Sequence, residues 1–442
     1  MEGCIDCVRL LGHIYENQQE ELIREVCHMT PEVKKRIDQI RHGIVPEGYR
    51  KTKAGIVPTD WSEYAIADCL ERVERPVAVK ADEMYTQIGI RSHGKGLFYK
   101  EPVSGKSLGN KAVFWIEPDC FVLNIVFAWE QAIGKTTQAE VGMIGSHRFP
   151  MYRPVDGKID IDYLISYLMT KRGKDILEAA SPGGAGRNRT LGQDRFMNSK
   201  IVLPTPAEQK KIAEILTTQD KVIELKEKLL VEKQRQKKYL MQQLLSGKKR
   251  FLGFSEDWDE HPLYMHLLES RITGTNGSTA KKLTVKLWNQ GVVEKREIHT
   301  GSESTTYYRR QAGQFIYSKL DFLNCAFGII PNELDGFEST QDLPCFDVRD
   351  IVPQFLLYYV TQEQFYRKFG ALANGGRKAK RVNPNDFLQF CVAYPSLQEQ
   401  MSIVEVLKKA DQEIDLLNQD LAQEKQKKKA LMQLLLTGIV RV

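Results

Sequence analysis

The chain lacks any run of the ~18 uncharged apolar residues that a membrane-spanning helix needs. Its longest apolar stretch, around Phe121–Ala132, is too short and carries Glu130. It also lacks a basic start followed by a clean apolar segment, so no secretory leader is expected. Eight cysteines in 442 residues show no framework spacing, which excludes a disulfide scaffold and fits reduced thiols in a cytoplasm. Cys4-x-x-Cys7 with His13 and Cys27-His28 has spacing that zinc tolerates, but a lone CxxC is a weak signal and ordinary thiols are the expectation. No metal site is assigned.

Loops for phosphates and cofactors are missing as well. Gly105-Lys106-Ser107 and Gly134-Lys135-Thr136 end like a Walker A loop, yet the required upstream glycine is Lys100 and Trp129 respectively. Asn383-Pro384-Asn385-Asp386 lacks the second proline and the aromatic of the NPP[YF] pocket of amino-methyltransferases. Pro118-Asp119 has no nearby E-x-K, so a metal-dependent nuclease core is unsupported. We therefore assign no catalytic residue and no cofactor. A methyltransferase fused to its own recognition domain would need the loops that are missing. Hydrophobic residues at 42% and charged residues at 27% exclude wholesale disorder and fibrous classes. The net charge of +6 permits a polyanionic partner without demanding one.

What the chain does contain is a duplication. An offset of 191 residues sets Leu203–Leu216 over Tyr394–Leu407 and runs without a gap to Gly247 and Gly438. Pro204/Pro395, Glu208/Glu399, Gln209/Gln400, Asp220/Asp411 and Lys237/Lys428 are among the matches. Roughly 18 of some 44 aligned positions agree, where chance supplies about two or three. Upstream, Gly183–Phe196 lies over Asn374–Phe387, each with glycines, then basic residues, then Phe. Asp60-Trp61-Ser62-Glu63 echoes Asp257-Trp258-Asp259-Glu260. Between these marks the two variable segments barely match, so a frame is repeated while its payload differs. His42–Val45 also echoes Thr437–Val440, which would make the N-terminus the tail of a unit whose body lies at the other end of the chain.

From Pro206 to Ser246, and again from Leu397 to Thr437, no proline or glycine interrupts a run rich in Lys, Glu, Gln and Leu. Steps of four and three give a heptad seam: Ile212, Leu216, Ile223, Leu230, Leu240 and Leu244 in the first copy, and Ile403, Leu407, Ile414, Leu421, Leu431 and Leu435 in the second. Polar residues interrupt it at Gln219, Lys226, Lys233 and Lys237, and at Glu424 and Lys428. Two ~40-residue helices of ~60 Å follow, and each needs a partner for its stripe. Antiparallel pairing within the chain closes most easily.

The expected fold is α+β: two α/β recognition domains separated by two long repeated helices that form an antiparallel coiled coil with pseudo-two-fold symmetry. The expected boundaries are a helical extension at 1–47, recognition domains at 48–202 and 251–393, and long helices at 203–250 and 394–442. Short strands are expected at Val113–Ile116, Phe121–Ala128, Thr306–Tyr317 and Asn324–Ile330. Helical stretches are expected at Tyr163–Leu177 and Gln354–Phe369.

Candidate DNA contacts lie in glycine-flexed basic segments, since glycine admits close backbone approach and Arg or Lys suits phosphates and guanine edges. They are Arg187 and Arg189 in one copy, and Arg377, Lys378, Lys380 and Arg381 in the other. Arg91, His93 and Lys95 form a basic turn, with Tyr307-Tyr308-Arg309-Arg310 as its loose counterpart; Arg309 and Arg310 join the candidate set.

The frame of P-x-x-x-E-Q, long helix and LLxG, together with QIGIRSHGKG and GFxxDW, resembles the DNA-specificity subunit of Type I restriction–modification systems. The resemblance runs from about Gly48 to the end. It implies a non-catalytic cytoplasmic protein whose two recognition domains each read half of a split double-stranded DNA target. It also implies that the helices act as spacer and as docking platform for two methyltransferase subunits, which bind S-adenosylmethionine, and that a translocating restriction subunit joins for cleavage. A coiled-coil scaffold without sequence-specific DNA readout is the alternative.

Overall fold

The computed structural model describes residues 30–52, 55–109, 111–183, 189–296, 302–370 and 381–442. The chain divides into two compact units: Met1–Lys226 with Asp420–Val442, and Glu227–Gln419.

Ten helices occur among the described residues: α1 (Pro31–Arg41), α2 (Gly105–Leu108), α3 (Ile161–Leu168), α4 (Lys171–Ala179), α5 (Gln193–Met197), α6 (Pro206–Leu244), α7 (Pro353–Val360), α8 (Glu363–Gly370), α9 (Pro384–Leu388) and α10 (Leu397–Leu435). The long helices α6 and α10 have 39 residues each.

Both units build the same antiparallel sheet. In the first its strands run in the order Ile133–Lys135, Phe121–Leu123, Met151–Pro154, Leu70–Val73. In the second the order is Phe327–Ile329, Phe315–Tyr317, Cys345–Val348, Leu267–Glu269. A two-stranded ladder closes each payload on itself, Ser62–Ala65 with Lys200–Leu203 and Asp259–Pro262 with Cys391–Tyr394. Phe121, Tyr152, Leu164, Leu168 and Phe196 fill the first core, and Phe315, Tyr317, Phe346, Phe355 and Phe387 the second. The payloads thus share a topology that their sequences do not advertise.

Local chemistry explains where elements stop. The expected strand Phe121–Ala128 ends at Leu123, because the chain turns at Asn124, whose side-chain oxygen accepts the Val126 N–H. The expected helix Tyr163–Leu177 is two helices. The Thr170 hydroxyl accepts the Gly173 N–H and starts α4 afresh. Gly173 is required there, since a Cβ would lie 2.3 Å from the Tyr167 carbonyl oxygen. The stretch Gln354–Phe369 likewise breaks between α7 and α8.

The repeated motif P-x-x-x-E-Q proves to be a joint. Gln209 accepts the Asp160 N–H (2.9 Å) at the start of α3 and donates to the Pro204 carbonyl (3.0 Å). Gln400 does the same with the Val352 N–H (2.8 Å) at the start of α7 and with the Pro395 carbonyl (2.8 Å). Each amide fixes the entry of a payload helix against the root of a long one. The neighbouring glutamates hold arginines that also correspond at the 191-residue offset. Glu208 pairs with Arg441 (2.6 Å), and Glu399 with Arg250 (2.6 Å).

The LLxG ends are built alike too. Gly247 (φ +67°) and Gly438 (φ +71°) are left-handed, the Lys249 N–H bonds the Gln243 carbonyl, and the Val440 N–H bonds the Leu434 carbonyl. The DWxE tryptophans pack here, Trp258 facing Gly247 and Trp61 facing Gly438. Gly43, at the end of α1, adopts the same backbone (φ +73°). The Arg36 guanidinium donates to the Ile439 carbonyl (2.5 Å), and the Tyr49 hydroxyl to the Gly438 carbonyl (2.6 Å). The N-terminal segment thus meets the end of α10, where the echo between His42–Val45 and Thr437–Val440 places its counterpart.

Within each unit α6 and α10 run antiparallel in contact. In the first, Lys226 pairs with Asp420 and Glu424 (2.8 Å each), Gln219 donates to Glu424 (2.7 Å), and Lys428 pairs with Asp220. In the second, Lys233 pairs with Glu413 (2.5 Å) and Lys237 with Asp411. Gln219, Lys226 and Glu424 are polar interruptions of the heptad seam that meet one another, while Lys233, Lys237 and Lys428 meet acidic residues of the facing helix outside the seam. Ile212, Leu216, Leu244, Ile403, Leu407, Leu421, Leu431 and Leu435 are buried; Ile223, Leu230, Leu240 and Ile414 are half-buried.

Candidate nucleic-acid interface

In the first unit a hairpin of Ile88–Ile90 and Leu97–Tyr99 carries the turn Arg91–Gly96. The Arg91 N–H closes the turn onto the Gly96 carbonyl (3.0 Å). His93 and Gly94, at its tip, both have positive φ (62° and 63°). Their amides dock on a 3-10 turn at Ala128–Glu130: the His93 N–H on the Glu130 carbonyl (2.8 Å), the Gly94 N–H on the Gln131 carbonyl (2.9 Å). The Ser92 hydroxyl adds a bond to the Glu130 carboxylate (2.8 Å).

The candidate Arg189 comes to the same place. Its guanidinium lies 5.4 Å from the Trp129 ring centroid, and the Leu191 N–H ties the following chain to the Ile125 carbonyl (2.8 Å). Arg91, His93, Lys95 and Arg189 are therefore gathered around one short turn, with Arg91, His93 and Lys95 exposed. The Arg91 side chain bonds the Leu97 carbonyl (2.7 Å) and leans over Phe98, which holds its charge near the tip.

The second unit repeats this bracket with a different segment from the one expected. The hairpin Leu283–Val285 and Val292–Glu294 carries the turn Lys286–Gly291. The Lys286 N–H bonds the Gly291 carbonyl (2.9 Å). Trp288 and Asn289 have φ of 57° and 55°. The Trp288 N–H bonds the Asn324 carbonyl (2.8 Å) and the Asn289 N–H the Cys325 carbonyl (2.9 Å), again on a 3-10 turn, Phe322–Asn324. The counterpart of Arg91–Lys95 is thus Lys286–Gln290, and Tyr307-Tyr308-Arg309-Arg310 is not.

Tyr307–Arg309 instead belong to the strand Thr306–Arg309 in a separate three-stranded sheet. Arg310 is 2% exposed, and its guanidinium bonds the Ser339 hydroxyl (2.8 Å) and the Ser270 and Leu343 carbonyls (2.8 and 3.1 Å). Burial lowers its pKa, and each of its three guanidinium nitrogens donates to an internal acceptor. Arg309 is exposed and lies beside Gly336. Arg381 is exposed; the next residue, Val382, donates to the Lys319 carbonyl (3.2 Å) and accepts from Tyr317 (3.0 Å). Gly370, on the other side, presses on Leu323 so closely that a Cβ would come within 2.4 Å of it. Arg187, Arg377, Lys378 and Lys380 lie outside the described residues, as do Cys4, Cys7, His13, Cys27 and His28.

Among the described residues no group of three His, Cys, Asp or Glu is placed to hold a metal. Burial pushes the thiol of Cys120 up to about 11 and those of Cys325 and Cys345 up to about 12, so none is a nucleophile near neutrality. A polar cleft of about 390 Å³ in the second unit is lined by Arg271, Tyr308, Lys319 and Asn383–Asp386. Its cations face their own carboxylates, Arg271 with Glu269 (2.9 Å) and Lys319 with Asp342 (3.8 Å). No helix among the described residues is long and apolar enough to cross a membrane.

Known proteins bear on this arrangement. Residues 118–233 match the family model of the Type I restriction modification DNA specificity domain. The chain is 25% identical over 431 residues to the type I restriction enzyme MjaVIII specificity subunit of Methanocaldococcus jannaschii, covering 90% of this chain and 96% of that one. It is 23% identical to the MjaX specificity subunit of the same organism, covering 90% and 97%. Its fold is shared with the S subunit of a type I restriction-modification system from M. genitalium (12% identity, TM-score 0.52, 85% and 96% covered). It is shared also with a chain from a structure on complex assembly of the type I R-M system (15% identity, TM-score 0.56, 87% and 99% covered). These findings bear out the resemblance read from the sequence. The likeness is to DNA-specificity proteins, and within that class to specificity subunits of the Type I restriction–modification kind, with the specificity domain itself matched at residues 118–233.

Proposed function

We propose that this subunit reads a bipartite DNA target, one half with each unit, and that α6 and α10 set the gap between the halves. The observation that supports this most is the repeated bracket. One hairpin tip on one 3-10 turn occurs in both units, with different side chains at each tip. One scaffold with two sets of exposed groups suits two different half-sequences. The recognition domains are proposed at 48–202 and 251–393, the spacer helices at 203–250 and 394–442, and the extension at 1–47. Arg91, His93, Lys95, Arg187 and Arg189 are assigned to one half-site. Arg309, Arg377, Lys378, Lys380 and Arg381 are assigned to the other. Arg310 is left out of that set because its donors are already used.

The subunit itself is proposed to be non-catalytic and cytoplasmic. Its partners are two methyltransferase subunits, which bring S-adenosylmethionine, and restriction subunits that join for cleavage. Co-expression with those methyltransferase subunits in a host free of adenine methylation, followed by mapping of modified adenines, tests the reading. A split motif with a fixed gap is expected; a continuous motif or no modification contradicts it. The paired helices sharpen the test. A matched heptad added after Lys226 and after Leu417 lengthens the pair by ~10.5 Å, about three base pairs of DNA rise. The gap should grow by roughly that amount with both halves unchanged.

A further inference from the structure

The tip residues invite a question that the basic segments do not answer. The same three backbone bonds make the bracket in both units: two amides of the tip on two carbonyls of the turn, and one amide closing the hairpin; in the first unit the Ser92 hydroxyl adds its bond to Glu130. The fold therefore needs no particular side chain at the tip. It does need positive φ at two successive residues, a backbone that glycine and asparagine adopt readily. Gly94 and Asn289 satisfy this at the second position. The first position holds His93, a residue type that adopts the left-handed region more often than most, and Trp288, whose bulk makes it an outlier there. Trp288 is also 60% exposed, with Leu287 beside it at 39%. Among the described residues the strained, exposed indole makes no hydrogen bond or ring contact, and strain kept without such a return directs attention to a use outside the chain.

We propose that His93 and Trp288 are equivalent tips that enter the duplex, one per half-site, and that they determine specificity there. This rests on the reading above, that each unit reads one half. Trp288 with Leu287 offers an apolar aromatic wedge suited to thymine methyl groups or to an opened base step. His93, flanked by Arg91 and Lys95, offers a hydrogen-bonding group between two cations. The two tips would thus read different chemistry from one bracket. In both units the amides of the tip itself hold it in place.

The test uses the full chain assembled with its methyltransferase subunits, comparing wild type with Trp288→Gly, Trp288→Phe and His93→Gly by thermal unfolding, co-purification and methylated-adenine mapping. Glycine removes the strain, so Trp288→Gly should unfold no earlier than wild type. Its methylation should fall tenfold or more at the wild-type motif, or spread over other bases at one position of a single half. Trp288→Phe should recover most of this, and His93→Gly should affect the other half only. An unchanged motif in Trp288→Gly, with wild type still giving a split motif, overturns this proposal and leaves the parent reading standing. Loss of the methyltransferase subunits from the complex would instead make the indole a protein contact, and overturns it too. Absence of a split motif in wild type overturns the parent reading and this one with it.

Discussion

The two roots of the long helices carry the same glutamate and the same arginine, but they are not equally furnished. In the first unit Glu208 accepts from Arg441 and from the Trp61 indole (3.3 Å), while Arg441 also grips Asp60 (2.7 Å). In the second, among the described residues, Glu399 is held by Arg250 alone among side chains, its own side chain only 1% exposed, and the buried Trp258 indole N–H has no partner. A duplicated frame therefore keeps its geometry while its redundancy drifts. The first root spreads the charge over several groups; the second hangs it on one.

The largest consequence concerns Arg250. Its replacement by alanine strands a buried carboxylate, which costs about 3–5 kcal/mol. Arg441→Ala leaves Glu208 with Trp61 and should cost about 1–3 kcal/mol. Thermal unfolding of the full chain orders the two; an equal or reversed order would break the comparison. The glycine ends come next, with the opposite bias. Gly247 and Gly438 share a left-handed backbone, worth about 1 kcal/mol against alanine. A Cβ at Gly438 also meets Pro58 at 2.5 Å, whereas at Gly247 it meets Trp258 at an ordinary 3.4 Å. Gly438→Ala should thus cost about 2–4 kcal/mol and Gly247→Ala about 1.

The helix pair of the first unit adds a pH dependence. Burial pulls the Glu424 pKa up, but hydrogen bonds from Lys226 and Gln219 outweigh it, and the net shift is down from 4.5. Its stabilisation is present above that ordinary value and is lost as pH falls through the depressed one. Lys226 runs the other way. Burial opposes its charge, the bonds to Asp420 and Glu424 prevail, and its support is lost only as pH rises through a value above 10.5. Glu424→Gln should cost about 1–2 kcal/mol at neutral pH and flatten the acid limb of a stability–pH profile. The smallest effect is at the indoles. Trp61→Phe loses a hydrogen bond that Trp258→Phe does not have, so the first should exceed the second by about 0.5–1.5 kcal/mol.

How much of this was legible before the fold was known depends on what each feature rests on. Long helices and their seam follow from periodicity, and the polar interruptions at Lys226, Lys233, Lys237, Glu424 and Lys428 were visible as exceptions. Their partners on the facing helix were not, because register between distant helices is set by packing. P-x-x-x-E-Q was visible as a repeat, while its work was hidden in Arg250 and Arg441, which stand beyond the stretch that aligns well. The tips show the sharpest limit. Arg91–Lys95 stands out in the sequence by its charge, and so does Tyr307–Arg310. The true counterpart, Lys286–Gln290, keeps only backbone geometry, which sequence comparison of side chains does not register. Positive φ at two successive residues leaves little trace beyond the Gly94/Asn289 match and the following glycines, Gly96 and Gly291. The break at Thr170 was masked for a similar reason, since one hydroxyl cap interrupts an otherwise helical pattern.

The central claim is that the two units read independently on one duplicated frame. Replacing the segment from Trp61 to Val202 with that of another such subunit, within the assembled methyltransferase, tests it most directly through the map of modified adenines. The account predicts that one half of the motif changes while the other half and the gap persist. A change in both halves, or in neither, would contradict it.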